Sequence, residues 1–173
     1  VADLASATPV MRKDFLVRPY QVIEARIGGA SGVLLIAAML DAAIMNEMLA
    51  CALEMEMFVL MEVFDERDLE YCLPALDDAA AKFSDSDAQI LLGVNCRDLR
   101  SLQVDFERFA QLLPLLPEHF PWVAESGIHT AEQAADLAQA GYSLGLVGTA
   151  LMRSADPAAT LQDMIAAGRV ACS

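Results

Sequence analysis

Six short apolar runs alternate with helical patterns along almost the whole chain, and this alternation constrains the fold more than any other feature. The runs are Pro9–Phe15, Gly32–Ala38, Met57–Val63, Ile90–Asn95, Trp122–Ser126 and Leu144–Thr149. They are rich in Val, Leu and Ile and lack a strict polar alternation, as strands covered on both faces require. The segments between them carry helix signals. Asp41 precedes a stripe of Ile44, Met45, Met48, Leu49, Ala52 and Leu53. Asp65 and Asp68 open the next helix, Thr130-Ala-Glu-Gln133 spells a capping box, and Asp156-Pro157 sets proline at a first helical position. Gly28–Gly29 and Gly141 follow helices where a left-handed cap is expected. Strand and helix in strict succession imply parallel strands with right-handed helical crossovers.

The 173 residues suffice for one domain with a sizeable core, and 56% of them are hydrophobic. The longest candidate span, Gly32 to Leu40, stops at Asp41, short of the roughly 18 residues a membrane helix needs. No basic region followed by an apolar stretch opens the chain, so no secretory signal is expected. Eleven basic against twenty-five acidic residues give a net charge of -14. That excludes a general nucleic-acid or anionic-membrane binder, though not one local cationic pocket. Cys51, Cys72, Cys96 and Cys172 have no CxxC spacing and read as free thiols in a reduced, cytoplasmic setting. With only His119 and His129 besides, no metal site is expected. Asp77 to Gln89 reads as a helix end followed by a polar surface loop.

A parallel α/β chain of this kind is either a doubly wound layer or part of a barrel. Barrel enzymes carry their chemistry at the C-terminal strand ends. Here those ends read Arg12-Lys13-Asp14, Glu62, Asn95-Cys96-Arg97, Glu125-Ser126-Gly127 and Gly148-Thr149. Ionisable groups at the ends of apolar strands are expensive unless paired or used, so several of them suggest a shared site. Lys13, beside Arg12, suits an acid or an anion holder; the alternative is a salt-bridged rim lysine. Glu62, flanked by apolar residues, suits a general acid or base, or a buried partner for a lysine. Asn95 suits substrate orientation, and Arg97 either clamps a carboxylate or pairs with Asp98 or Asp14. Glu125 suits a substrate hydroxyl or amine, or a pairing with Lys13. Ser126-Gly127 and Gly148-Thr149 end the last two strands, where barrels often bind phosphate with backbone N–H groups. Phe15 suits an aromatic pocket or plain packing. His119 reads as surface, His129 as helix entry, and the nine methionines as core filling.

Taken together, Pro9-Val-Met-Arg-Lys-Asp-Phe15, the Glu62 strand, Gly93-Val-Asn-Cys-Arg-Asp-Leu99, Ala124-Glu-Ser-Gly-Ile128 and Leu146-Val-Gly-Thr-Ala-Leu-Met152 resemble indole-3-glycerol phosphate synthases in content and order. The resemblance implies the (β/α)8 TIM-barrel family and tryptophan biosynthesis. It implies decarboxylation and ring closure of carboxyphenylamino-deoxyribulose 5-phosphate to indole-3-glycerol phosphate, with no metal or organic cofactor. Under it, Lys13 is a general acid that also meets the substrate carboxylate, and Glu62 a general base or acid in the dehydration. Asn95 orients substrate hydroxyls with Arg97 in support, and Glu125 and Ser126 are a binding pair. Gly127, Gly148 and Thr149 belong to phosphate loops, and Phe15 lines the anthranilate-ring pocket. Thr149 stands where serine or glutamate is usual, and Cys96 where asparagine or serine is common. Tyr142-Ser-Leu-Gly replaces a small, acidic turn.

A full barrel needs at least about 200 residues and typically about 250. The resemblance therefore implies one domain over residues 1–173, an incomplete barrel of about six parallel β/α units. It lacks the first two strands and, with them, a Ser-Pro-Ser-Lys block, a catalytic glutamate and a second lysine. Three readings follow: a piece of a longer product, a homo-oligomer joined through open barrel edges, or an inactive scaffold that keeps a phosphate site. Another phosphosugar barrel enzyme, such as phosphoribosylanthranilate isomerase, fits the phosphate loops but leaves Arg12-Lys-Asp-Phe and Asn95-Cys-Arg unexplained.

Overall fold

A computed structural model describes residues 8–84, 89–98 and 103–171. Cys172, Leu99 and residues 85–88 of the polar stretch lie outside the described residues. The fold is α/β with six parallel strands, ordered β1 to β6 in the sheet as in the chain. The chain forms two compact units, Val1–Leu92 and Gly93–Ser173.

The first unit holds β1 (Met11–Arg12), α1 (Pro19–Ile27), β2 (Gly32–Ile36), α2 (Ala42–Glu54), β3 (Phe58–Val63) and α3 (Glu66–Lys82). β1 pairs with β2 and β2 with β3, all parallel, with Gly32 opposite Phe58 and Ile36 opposite Glu62. Every residue of β2 is buried, which explains its unbroken apolar sequence. The Asp41 and Asp65 side chains accept from the backbone N–H groups of Ile44 and Asp68, so both helices start where the sequence places them. Leu34, Leu35, Met45, Met48, Leu49, Met57, Met61, Leu69 and Leu76 form the core. Each such side chain contributes roughly 1.5–3 kcal/mol by leaving water.

β1 is a correction to the expected run. Only Met11–Arg12 pair as strand, not Pro9–Phe15. Pro9 has no N–H to donate. After Arg12 the Asp14 carboxylate accepts from the Phe15 N–H at 2.8 Å and turns the chain out of the sheet.

β4 (Ile90–Asn95) runs across the division between the units. The second unit then holds α4 (Arg108–Leu112), β5 (Trp122–Glu125), α5 (Ala131–Gln139), β6 (Leu144–Leu146), α6 (Thr149–Arg153) and α7 (Pro157–Ala171). β5 and β6 pair in parallel with Glu125 opposite Leu146. The Thr130–Gln133 capping box forms in full, and α5 packs along α7. Tyr142 is buried and its hydroxyl donates to the Phe109 carbonyl at 3.0 Å. Its ring and that of Phe109 stand edge to face, with centroids 5.4 Å apart.

Candidate functional site

In the first unit the sequence-predicted residues gather where β1 and β3 end. Lys13 follows the last residue of β1. Glu62 is the penultimate residue of β3 and is 2% exposed. The Lys13 Nζ stands 3.8 Å from a Glu62 carboxylate oxygen. The lysine side chain is 47% exposed, so one end of the pair meets solvent while the other is buried. Such a pair offers an ammonium donor held against a carboxylate that water barely reaches. Phe15 projects 59% exposed just beyond it.

The Arg12 side chain is directed toward α1. Its guanidinium donates to the Gln21 carbonyl at 2.9 Å and lies 3.4 Å from both Glu24 and Asp14. Successive residues of an extended chain face opposite ways, so Arg12 turns to α1 while Lys13 turns to Glu62. Arg12 ties the β1–α1 connection in place.

In the second unit the ends of β4 and β5 are laced together. The Cys96 N–H donates to the Glu125 carbonyl at 3.1 Å, and the Cys96 carbonyl accepts from the Asp105 N–H at 2.9 Å. Arg97 pairs with Val104 in an isolated antiparallel bridge. Asn95 is buried, and its Oδ1 accepts from the Arg97 N–H at 2.9 Å, which shapes the turn leaving β4. Glu125 is 1% exposed.

The next two residues both adopt left-handed backbone, Ser126 at φ 68° and Gly127 at φ 69°. At Gly127 this has a packing reason as well. A Cβ there would lie 2.8 Å from the Cys96 Sγ and 2.9 Å from the Val104 Cγ1. Asn95, Arg97, Glu125, Ser126 and Gly127 therefore form one close-packed cluster. Gly148 and Thr149 follow β6, so they leave the sheet at the same end as Ser126 and Gly127. Gly148 caps α6 and Thr149 is its first residue, and a Cβ on Gly148 would meet nothing within 4 Å.

Two features of this cluster escape sequence reasoning. The Arg97–Val104 bridge joins residues seven apart in sequence, and a left-handed serine has no propensity signal. The buried thiols are reactive only as thiolates, and burial raises both, Cys96 to about 11 and Cys72 to about 12. Burial pushes the Tyr142 hydroxyl up too. Among the described residues no three His, Cys, Asp or Glu side chains group so as to hold a metal ion. No described helix is long and apolar enough to cross a membrane.

The sequence model of the family described as "Indole-3-glycerol phosphate synthase" matches residues 2–164. The indole-3-glycerol phosphate synthase of Parafrankia sp. (strain EAN1pec) is 42% identical over 160 residues, covering 92% of this chain and 55% of that protein. The one from Mycobacterium leprae (strain TN) is 39% identical over 164 residues, covering 95% and 56%. The chain thus spans about half the length of the curated relatives it matches. Among solved structures, 3-hexulose-6-phosphate synthase from Salmonella typhimurium superposes with a TM-score of 0.73 at 15% identity, over 98% of this chain and 77% of that one. Orotidine 5'-phosphate decarboxylase from Pyrococcus horikoshii OT3 gives 0.60 at 16%, over 95% and 76%. At those identities the structures speak for the barrel-type fold alone, whereas the sequence matches go further: this chain belongs to the indole-3-glycerol phosphate synthase family.

Proposed function

We propose that the chain carries the family's carboxy-lyase chemistry: decarboxylation and ring closure of carboxyphenylamino-deoxyribulose 5-phosphate to indole-3-glycerol phosphate. The observation that carries the reading is the Lys13–Glu62 pair, 3.8 Å apart with the carboxylate buried. Ring closure needs a proton delivered to the substrate ketone, and the loss of water that follows needs an acid and a base. Lys13, half-exposed, donates to the incoming carbonyl oxygen and meets the substrate carboxylate on this reading. Glu62 holds the ammonium in position and takes or returns a proton in the dehydration. Phe15 offers its ring face to the anthranilate ring.

The second unit is assigned to anchoring. Asn95 and Ser126 hold substrate hydroxyls, with Glu125 as a further acceptor and Arg97 in support. Gly127, Gly148 and Thr149 present backbone N–H groups to the phosphate. The setting is cytoplasmic, and isolated chains self-associate.

A second reading, a non-catalytic scaffold that binds the phosphorylated ligand, rests on Gly127, Gly148 and Thr149 leaving the sheet at one end. One experiment separates the two. Indole-3-glycerol phosphate formation is followed by fluorescence, with Lys13→Ala as control. The first reading expects turnover that falls at least about 100-fold in the variant. Ligand binding without turnover above that of Lys13→Ala, in a folded sample, establishes the scaffold instead.

A further inference from the structure

Lys13 meets Glu62 at 3.8 Å, beyond hydrogen-bond length, so this contact alone does not aim a long and flexible ammonium stem. Part of the aim has to come from the backbone that carries Lys13, and that backbone is held by its two neighbours. The Asp14 carboxylate divides its oxygens. Its Oδ1 accepts from the Phe15 N–H at 2.8 Å, and its Oδ2 from the Arg12 guanidinium at 3.4 Å. Arg12 is itself moored to α1, donating to the Gln21 carbonyl at 2.9 Å and to a Glu24 carboxylate oxygen at 3.4 Å. Gln21 also fastens the far end of the connection, because its side-chain oxygen accepts from the Val17 and Arg18 N–H groups at 2.8 and 3.0 Å. Between these ties Leu16 is buried, and its N–H donates to the Asp14 carbonyl at 3.1 Å.

Arg12 and Asp14 lie two apart and touch, so their side chains share one side of the chain. Lys13, between them, is sent to the other side, where Glu62 stands. A rotation of this segment that swung Lys13 away from Glu62 would have to break the Asp14 contact to Arg12 or the one to Phe15. An ion pair this open to water contributes little to stability. What it confers here is direction.

We propose that Asp14 is a positioning residue for Lys13: gripping Arg12 with one oxygen and the Phe15 N–H with the other, it holds the end of β1 so that the ammonium faces Glu62. Asp14 acts through Lys13 and itself transfers no proton. Its effect on turnover rests on the functional reading, but the placement of Lys13 is readable without turnover. Asp14→Ala frees both partners. Asp14→Asn leaves one acceptor oxygen for two donors and so keeps only part of the grip. Glu24→Ala removes the other carboxylate beside Arg12 and leaves the Asp14 contacts in place.

The chain contains two lysines, Lys13 and Lys82, which makes a direct test possible. Reductive methylation with carbon-13 formaldehyde gives each a methyl signal. Lys82→Arg assigns them, and the α-amino signal separates by its lower pKa. At about pH 7, the displacement of the Lys13 signal caused by Glu62→Gln measures how closely the ammonium faces that carboxylate. The expected result is a clear displacement in the parent background and less than about half of it with Asp14→Ala. Asp14→Asn gives an intermediate value, and Glu24→Ala keeps at least about four-fifths. Circular dichroism verifies folding, and Asp14→Asn carries the test if Asp14→Ala does not fold. An undiminished displacement in the folded Asp14 variant overturns the proposal, as does an equal loss with Glu24→Ala. No displacement in the parent overturns it together with the Lys13–Glu62 pair on which the functional reading stands. The expected displacements without any turnover support the positioning role and put the scaffold reading in place of the catalytic one. Where turnover occurs, Asp14→Asn lowers kcat at least about tenfold and changes KM by less than about twofold.

Discussion

Replacing Gly127 with alanine is expected to lower stability by about 3 kcal/mol. Two effects add. At φ 69° an L-residue carries a left-handed penalty of about 1–2 kcal/mol that glycine escapes. The new methyl would also stand 2.8 Å from the Cys96 Sγ and 2.9 Å from the Val104 Cγ1, inside contact distance, and overpacking of this kind costs typically 1–3 kcal/mol. Urea unfolding measures the sum; with a slope near 2 kcal/mol per M, the midpoint falls by about 1.5 M. A double-mutant cycle with Cys96→Ala divides it, because removing the sulfur relieves part of the clash and leaves the backbone penalty untouched. A coupling of about 1 kcal/mol is expected. Ser126→Gly serves as the opposite control, with a gain below about 1 kcal/mol, since it lifts the same penalty and adds unfolded-state entropy. A loss under 1 kcal/mol for Gly127→Ala, or no coupling to Cys96, would refute the reasoning.

Other expectations follow from single contacts. Burial raises the Asp68 carboxyl above its ordinary range, against the bond it accepts from the Phe64 N–H. The folded state therefore binds that proton more readily than the unfolded state, and this contribution to stability falls as pH rises through the window between the two values. Asp68→Asn keeps an acceptor and removes the slope, so urea midpoints of variant and parent should differ more at pH 7 than at pH 4. In a Cys172→Ser chain at pH 8, a thiol reagent should modify half-buried Cys51 slowly, and Cys72 and Cys96 only after denaturant is added. Gly32→Ala would push a methyl to 2.4 Å from the Phe58 ring across the β2–β3 pair. A loss of about 1–3 kcal/mol is expected, partly recovered by Phe58→Leu.

Much of the strand and helix order is legible in the sequence because parallel strands covered on both faces leave unbroken apolar runs. The β2 segment is the plainest case. Helix starts at Asp41, Asp65 and Thr130 are legible because a short polar side chain meets a donor a few residues away. α3 continues through Pro74. The ring sits on the exposed side while Leu69, Cys72, Leu76 and Ala79 hold the other against the core. Of the expected left-handed glycines after α1, only Gly29 is left-handed, and Gly28 stays helical. In the site, Lys13 and Glu62 are foreseeable from their places at strand ends, but the direction of Arg12 is not. Successive residues of a strand face opposite ways, and two of its partners, Gln21 and Glu24, lie on α1. The same holds for Gly127 against Cys96 and Val104, a contact that no local pattern announces.

The turn after β4 decides which end of an amide faces outward. By giving its Oδ1 to the Arg97 N–H, Asn95 fixes its own flip and commits its lone pairs to the backbone. Its NH2 group is then a pure donor toward whatever it meets. A ligand oxygen that accepts, such as a carbonyl, an ether or the lone pair of a hydroxyl, matches that group; an ammonium or amide N–H at the same spot does not. On the proposed reading, Asn95 would act as a polarity filter toward substrate oxygens. An aspartate in its place would keep the turn and reverse the preference, from acceptors to donors.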